Sequence, residues 1–223
     1  MQSFIFDFNG TLYQDCPMHL AAWRRFYQEH RVPFTDDMFY KYMCGPPNNE
    51  IIRFMMGADI PNAEADRLSE EKECFYREIV YDDPTLQVLT PGAVEMLDRL
   101  KALSVPFAIA TGSIKSNVDF YMETLHIDRW FDYDHVFYAH DGIPGKPDPA
   151  VYRMAMEQLG YAPRETVVVE DGTAGIRSAI GAGVGSIIAI DTTLGPDAFR
   201  DIPEVHAVIH DFYGFERFIE RNV

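Results

Sequence analysis

Cysteine is scarce and poorly spaced for any shared task. Cys16, Cys44 and Cys74 are odd in number, far apart, and form neither a CxxC nor a Cys/His ligand spacing. Basic residues are few as well, with 19 Lys and Arg against 35 Asp and Glu, a formal net charge of −16. No basic stripe or arm supplies the phosphate neutralisation on which general nucleic-acid binding depends, and the charge opposes anionic membranes. No segment offers ~18 uninterrupted apolar residues for a membrane span. The opening residues, Met1 to Asp7, lack the basic start and long apolar run of a signal peptide. Together these absences lead us to expect a reduced, cytoplasmic protein with no nucleic-acid partner and no membrane partner.

What is present fits a globular enzyme. At roughly 100–200 residues per domain, the 223 residues fit one core plus a modest insertion. Apolar types make up 47% and charged types 24%, which predicts a buried core rather than disorder. Short β-branched or aromatic runs at 3–8, 105–110, 136–138, 166–170, 186–190 and, more weakly, 207–210 alternate with helical patterns. That alternation predicts the α/β class with a mostly parallel sheet. Thr90-Pro91 and Asp148-Pro149 each place a capping side chain before a proline suited to a first helical turn. Residues 16–81 differ, because apolar positions recur there at helical spacing over 18–31, 36–43, 49–56 and 62–80 with no convincing strand. Polar junctions at 13–15 and 81–84 bracket this stretch. We therefore expect a core of residues 1–15 and 82–223 and a helical insertion of residues 16–81.

In open α/β sheets ligands bind beyond the carboxyl ends of the strands, so the residues that follow each strand come next. The first strand delivers Asp7-Phe8-Asn9-Gly10-Thr11, the second Thr111-Gly112-Ser113, and the fourth Glu170-Asp171-Gly172, while Gly145-Lys146-Pro147 follows the third. This set supplies carboxylates, hydroxyls, a lysine, and glycines at Gly10 and Gly112 that let backbone N–H groups approach an anion. Asp7, Glu170 and Asp171, if close, need a cation to stay ionised together. Oxygen ligands select a hard metal, which points to Mg²⁺. With Lys146 offsetting phosphate charge and Asp7 as carboxylate nucleophile, the set suits phosphoryl transfer.

These residues resemble the haloacid dehalogenase superfamily, in its branch with a helical cap between the first and second motifs. The resemblance rests on Phe6-Asp7-Phe8-Asn9-Gly10-Thr11-Leu12, Ala110-Thr111-Gly112-Ser113, Gly145-Lys146-Pro147-Asp148-Pro149, and Val169-Glu170-Asp171-Gly172 with Ala174-Gly175-Ile176. It is strongest to β-phosphoglucomutase-like and phosphoglycolate-phosphatase-like members. The resemblance implies a Rossmann-like parallel-sheet core with an inserted all-helical cap domain. It implies Asp7 as the residue that becomes an aspartyl phosphate, and Thr111 with the Gly112 backbone as phosphoryl binders. Mg²⁺ would be held by Asp7, the main-chain carbonyl of Asn9 and Asp171, with Glu170 binding directly or through water. His19, Asn117 and the loop glycine Gly45 match positions that face substrate in related enzymes, and the substrate would be a small phosphorylated metabolite, such as a sugar phosphate.

One position departs from the family pattern. Where phosphatases and mutases of the superfamily carry a second Asp, this chain has Asn9. An amide can donate a hydrogen bond but cannot exchange a proton at useful pH. General acid–base help contributes ~10²–10⁴-fold, so its loss slows such a reaction without abolishing nucleophilic attack. The readings left open are a phosphatase in which His19, Asp15 or water replaces the acid, a sugar-phosphate mutase, cleavage of carbon–halogen or carbon–phosphorus bonds, and a phosphate-binding protein with little turnover. Lys41 and Lys72 are the insertion's lysines, and neither sits where the carbon–phosphorus enzymes place their Schiff-base residue.

Overall fold

A computed structural model describes residues 2–43, 46–57, 59–138, 140 and 143–219. The chain divides into two compact units, Met1–Gln14 with Val88–Val223, and Asp15–Gln87. The second unit holds helices α1 (Cys16–Glu29), α2 (Asp36–Tyr42), α3 (Asn48–Met56) and α4 (Asn62–Asp82), and no strand among its described residues. The first holds α5 (Ala93–Ala102), α6 (Lys115–Thr124), α7 (Ala150–Leu159), α8 (Thr173–Ala182) and the short α9 (Glu216–Ile219). Its strands are β1 (Ser3–Phe6), β2 (Phe107–Thr111), β3 (Val136–Tyr138), β4 (Thr166–Glu170), β5 (Ser186–Ile190) and β6 (Val205–Ile209). All neighbours pair in parallel, in the order β3-β2-β1-β4-β5-β6. This is the Rossmann-like α/β class with a helical insertion.

Strand β1 is central and buried throughout, as a parallel strand covered on both faces should be. Successive side chains leave on opposite faces. Ile5 joins Ala108, Tyr152, Val168 and Ile176 in one layer, while Phe4 and Phe6 meet Phe215 and Phe212 edge-on at 5.7 and 6.0 Å. The chain builds outward from β1 through β2 and β3, then returns to lay β4 on the other side of β1. The ends of β1 and β4 therefore meet at the point where strand order reverses, the usual ligand position in such sheets.

Several element limits differ from the sequence expectation. Strand β1 stops at Phe6 rather than at residue 8, because Phe8 turns to accept from the Tyr13 N–H at 2.9 Å while Gly10 N–H donates to Tyr13 O at 2.7 Å. Strand β2 starts two residues late and includes Thr111, which pairs with Tyr138. Helix α1 starts at Cys16, with Pro17 in its first turn. Thr90 does not cap α5 with its side chain: its hydroxyl donates to Thr11 O at 2.7 Å, and Gly92, at φ +79°, precedes the helix instead. Asp148 does serve the start of α7, its Oδ1 accepting from Ala150 N–H at 2.9 Å. Among the described residues no helix is long and apolar enough to cross a membrane. Cys16 and Cys74 are free thiols, and Cys44 lies outside the described residues.

Candidate active site

The register places the chemistry. Phe6 pairs with Val169, and the Asp7 N–H donates to Val169 O at 2.9 Å, so the residues after β1 and β4 emerge side by side. Oxygens of Asp7, Glu170 and Asp171 lie within 4.8 Å of one another, and all three residues are buried. The Lys146 ammonium enters this group, donating to Asp7 Oδ1 at 2.5 Å, Glu170 Oε1 at 2.6 Å and Ala110 O at 2.8 Å. Tyr152 Oη, from α7, donates to Glu170 Oε1 at 3.0 Å, and Gly172 N–H donates to Glu170 Oε2 at 2.9 Å. Thr193 Oγ1 donates to Asp171 Oδ2 at 2.6 Å.

Two glycines make this packing possible. Gly10 stands at φ +80°, and a Cβ there would lie 2.1 Å from Asp171 Oδ2. A Cβ on Gly175 would lie 1.6 Å from Glu170 Oε1. Each glycine is thus a clearance for a carboxylate, which explains why the short segments that carry the acids also carry glycine.

The electrostatics are unbalanced. Burial, reinforced by Glu170 and opposed by Lys146, pushes the Asp7 carboxyl up to about 7. Burial, then Asp7 and Glu170, raises Asp171 well above its ordinary value against the pull of Thr193 and Lys146. Burial alone would lower Lys146, but Asp7 and Glu170 outweigh it and hold the ammonium above the ordinary lysine value. Two like charges ~4 Å apart repel by ~4 kcal/mol even at an effective dielectric of about 20. Three acids facing one ammonium are therefore suited to a further cation. A buried, all-oxygen donor set fits a hard divalent ion such as Mg²⁺.

Beside this cluster lies a second set of contacts that includes Asn9. Its Oδ1 accepts from Ser113 Oγ at 2.6 Å and Thr111 Oγ1 at 3.2 Å, and its Nδ2 donates to Tyr121 Oη at 2.8 Å. Asn117, on α6, is buried. An added Cβ at Gly112 would meet nothing within 4 Å, so the backbone there is open. The structure thus brings together Asp7, Lys146, Glu170 and Asp171, with Gly10 against Asp171, and groups Asn9 with Thr111 and Ser113. Gly45 lies outside the described residues.

His19 belongs to the helical unit, in a cluster of its own. Its Nε2 lies 3.3 Å from Asp15 Oδ2, its Nδ1 2.6 Å from Lys72 Nζ, and its ring stacks on Tyr76 at 4.1 Å. Lys72 is buried and donates to Glu73 Oε1 at 2.8 Å, and burial lowers its pKa against the pull of Glu73 and Asp15. Lys41, by contrast, is exposed, its ammonium 5.1 Å from the Tyr42 ring.

Tyr121, Tyr152 and Thr193 escape the sequence reading, and Lys72 enters it only as a lysine of the insertion. Thr193 carried a usable signal, because Asp191-Thr192-Thr193 is a polar segment directly after β5. The others sit inside amphipathic helices, where the pattern reports only which face is buried.

The chain is similar to known proteins over most of its length. A phosphorylated carbohydrates phosphatase of Thermotoga maritima is 29% identical over 195 residues, 85% of each chain. The β-phosphoglucomutase of Bacillus subtilis is 27% identical over 191 residues, covering 84% of this chain and 82% of that one. The crystal structure of a HAD hydrolase, family IA, variant 3, from Entamoeba histolytica superposes with a TM-score of 0.91 at 31% identity, over 99% of this chain and 98% of that one. The haloacid dehalogenase-like hydrolase profile matches residues 1–183, a span that contains the ends of β1 to β4. With both the fold and the sequence in agreement over that span, the chain belongs to the haloacid dehalogenase-like hydrolase family and is a hydrolytic enzyme.

Proposed function

We propose that this hydrolase is a Mg²⁺-dependent phosphatase of a small phosphomonoester, of the phosphorylated-carbohydrate kind. The observation that carries the reading is the Asp7 carboxylate, buried against Lys146 with Glu170 and Asp171 within 4.8 Å. Asp7, Glu170, Asp171 and the Asn9 carbonyl would hold the metal, which supplies charge neutralisation for the incoming phosphate. An Asp7 oxygen attacks phosphorus, the phosphorus–oxygen bond to the sugar breaks, and an aspartyl phosphate remains until water cleaves it. Lys146 both orients Asp7 and stabilises the phosphoryl charge. The turn of Thr111, Gly112 and Ser113 binds phosphoryl oxygens through the open backbone at Gly112, its two hydroxyls being held by Asn9.

Asn9 cannot protonate the leaving alkoxide, so that proton comes from another group or from water, and turnover is correspondingly slow. The Thermotoga phosphatase relative supports carbohydrate esters as the substrate class. The Bacillus mutase relative supports a second reading, transfer of the phosphoryl group to a sugar hydroxyl instead of water. The excess of carboxylates argues against carbon–halogen cleavage, which has no use for a cation site.

The test is phosphate release from a panel of sugar phosphates with and without Mg²⁺, for the natural protein and Asp7→Ala. We expect release that needs both Mg²⁺ and Asp7. Formation of an isomeric sugar phosphate in place of inorganic phosphate selects the mutase reading. Equal release by Asp7→Ala, or no reaction of any ester, removes the phosphoryl-transfer account.

A further inference from the structure

Asn9 is not merely a missing acid; its surroundings suit an amide. Ser113 Oγ gives its one proton to Asn9 Oδ1 at 2.6 Å. The contact between Ser113 Oγ and Tyr121 Oη, at 3.2 Å, must then have Tyr121 as donor. Asn9 Nδ2 in turn donates to Tyr121 Oη at 2.8 Å. Asn9, Tyr121 and Ser113 thus form a closed ring in which each member donates to the next. Thr111 Oγ1 accepts from Ser113 N–H at 3.1 Å and sends its own proton to Asn9 Oδ1 at 3.2 Å. Tyr121 is fully buried on α6, and its ring stacks on Phe8, the residue between Asp7 and Asn9, at 4.4 Å.

Only a side chain that donates and accepts at once completes this ring. A carboxylate at position 9 has no proton to offer Tyr121, whose hydroxyl would turn and become a third donor alongside Ser113 and Thr111. The carboxylate would then be held on all sides by hydroxyls rather than left available to a reacting oxygen.

We propose that Asn9 is a positioning residue, its amide tying the loop that carries Asp7 to the Thr111–Ser113 turn, and that Tyr121 is the residue that locks that amide. The proposal rests on the reading of Asp7 as nucleophile and of the Thr111–Ser113 turn, through its open Gly112 backbone, as phosphoryl binder. Position 9 exchanges proton transfer for alignment of the nucleophile with the phosphoryl site, and misalignment by even ~1 Å is costly to rate.

Two measurements test it. The first does not depend on turnover: the side-chain amide protons of Asn9 are assigned by NMR as the pair missing from Asn9→Asp, and their exchange with solvent is timed. We expect exchange to speed up by about tenfold or more in Tyr121→Phe, as a buried, network-held donor is released. Unchanged exchange overturns the ring.

The second is a kinetic cycle. Tyr121→Phe should lower kcat about fivefold to tenfold in the natural protein with KM nearly constant, and should raise kcat when combined with Asn9→Asp, because it frees one carboxylate oxygen. A merely structural tyrosine gives the same loss in both backgrounds, which contradicts the proposal. So does a gain of ~10²-fold from Asn9→Asp alone, which would mean that a carboxylate there is already available for proton transfer. If no variant turns over, the phosphatase reading falls while amide exchange still decides the ring.

Discussion

The two units each bury a lysine among carboxylates, and they do so in different proportion. In the helical unit Lys72 pairs with Glu73, whose Oε1 also accepts from Asn48 Nδ2 at 2.5 Å, while Asp15 Oδ2 accepts from Tyr76 Oη at 2.7 Å. Every carboxylate there has a neutral donor of its own, and His19 stands between Asp15 and Lys72. In the α/β unit Lys146 answers two acids at once, of which Glu170 also accepts from Tyr152 and Gly172, and the third, Asp171, has the Thr193 hydroxyl. The first cluster sets two carboxylates against one ammonium and an imidazole. The second carries surplus negative charge that a cation would resolve, and burial of unresolved charge is tolerated where it serves chemistry.

Removing each lysine should break the comparison most visibly. Lys146→Met leaves Asp7 and Glu170 without their counter-charge and should destabilise the metal-free protein by about 3–5 kcal/mol in urea unfolding. No single acid-to-amide change should restore the loss, because two carboxylates depend on this ammonium. Lys72→Met should cost somewhat less, about 3 kcal/mol, and adding Glu73→Gln should recover most of it, since the pair is then removed together. Recovery of Lys146→Met by one partner substitution, or failure of recovery in the helical unit, would show that the two clusters are not different in kind.

The next effect is on pH dependence. Asp7 is raised in the folded state from an ordinary 3.8 to about 7. A raised acid binds its proton more tightly folded than unfolded, so its contribution to stability is present below pH ~4 and is lost as pH climbs towards 7. In chelator, the urea midpoint should therefore fall across that window, and Asp7→Asn should flatten the fall. Smaller still is the effect of Asp171→Asn, which relieves repulsion from Asp7 and Glu170 and should raise the metal-free Tm by about 2–4 °C. Glu73→Gln should move Tm the other way, as it strips Lys72 of its partner.

How much of this was legible without coordinates differs by kind of residue. Asp7, Lys146, Glu170 and Asp171 stand beside glycines or prolines at the ends of apolar runs, and parallel-sheet topology turns strand ends into neighbours. Their grouping follows from local sequence plus one general rule. Tyr121 and Tyr152 fall inside α6 and α7, where hydrophobic spacing says that a tyrosine is buried but not which oxygen its hydroxyl meets. Lys72 stands in the sequence only as one of two lysines of the insertion, since nothing local shows that α4 buries it while Lys41 stays exposed. The end of β1 was placed two residues late because Phe8 is apolar; hydrogen bonding of the Phe8–Tyr13 turn, not hydrophobicity, decides that limit.

The most direct test of the claim that the α/β unit's charge surplus awaits a cation is thermal unfolding as a function of Mg²⁺ for the natural protein, Asp171→Asn and Glu73→Gln. A ligand at ~100 times its Kd stabilises by about 2.7 kcal/mol. The account predicts a rising Tm in the natural protein and in Glu73→Gln, and little or none in Asp171→Asn. An equal rise in Asp171→Asn, or a flat response of the natural protein, would contradict it.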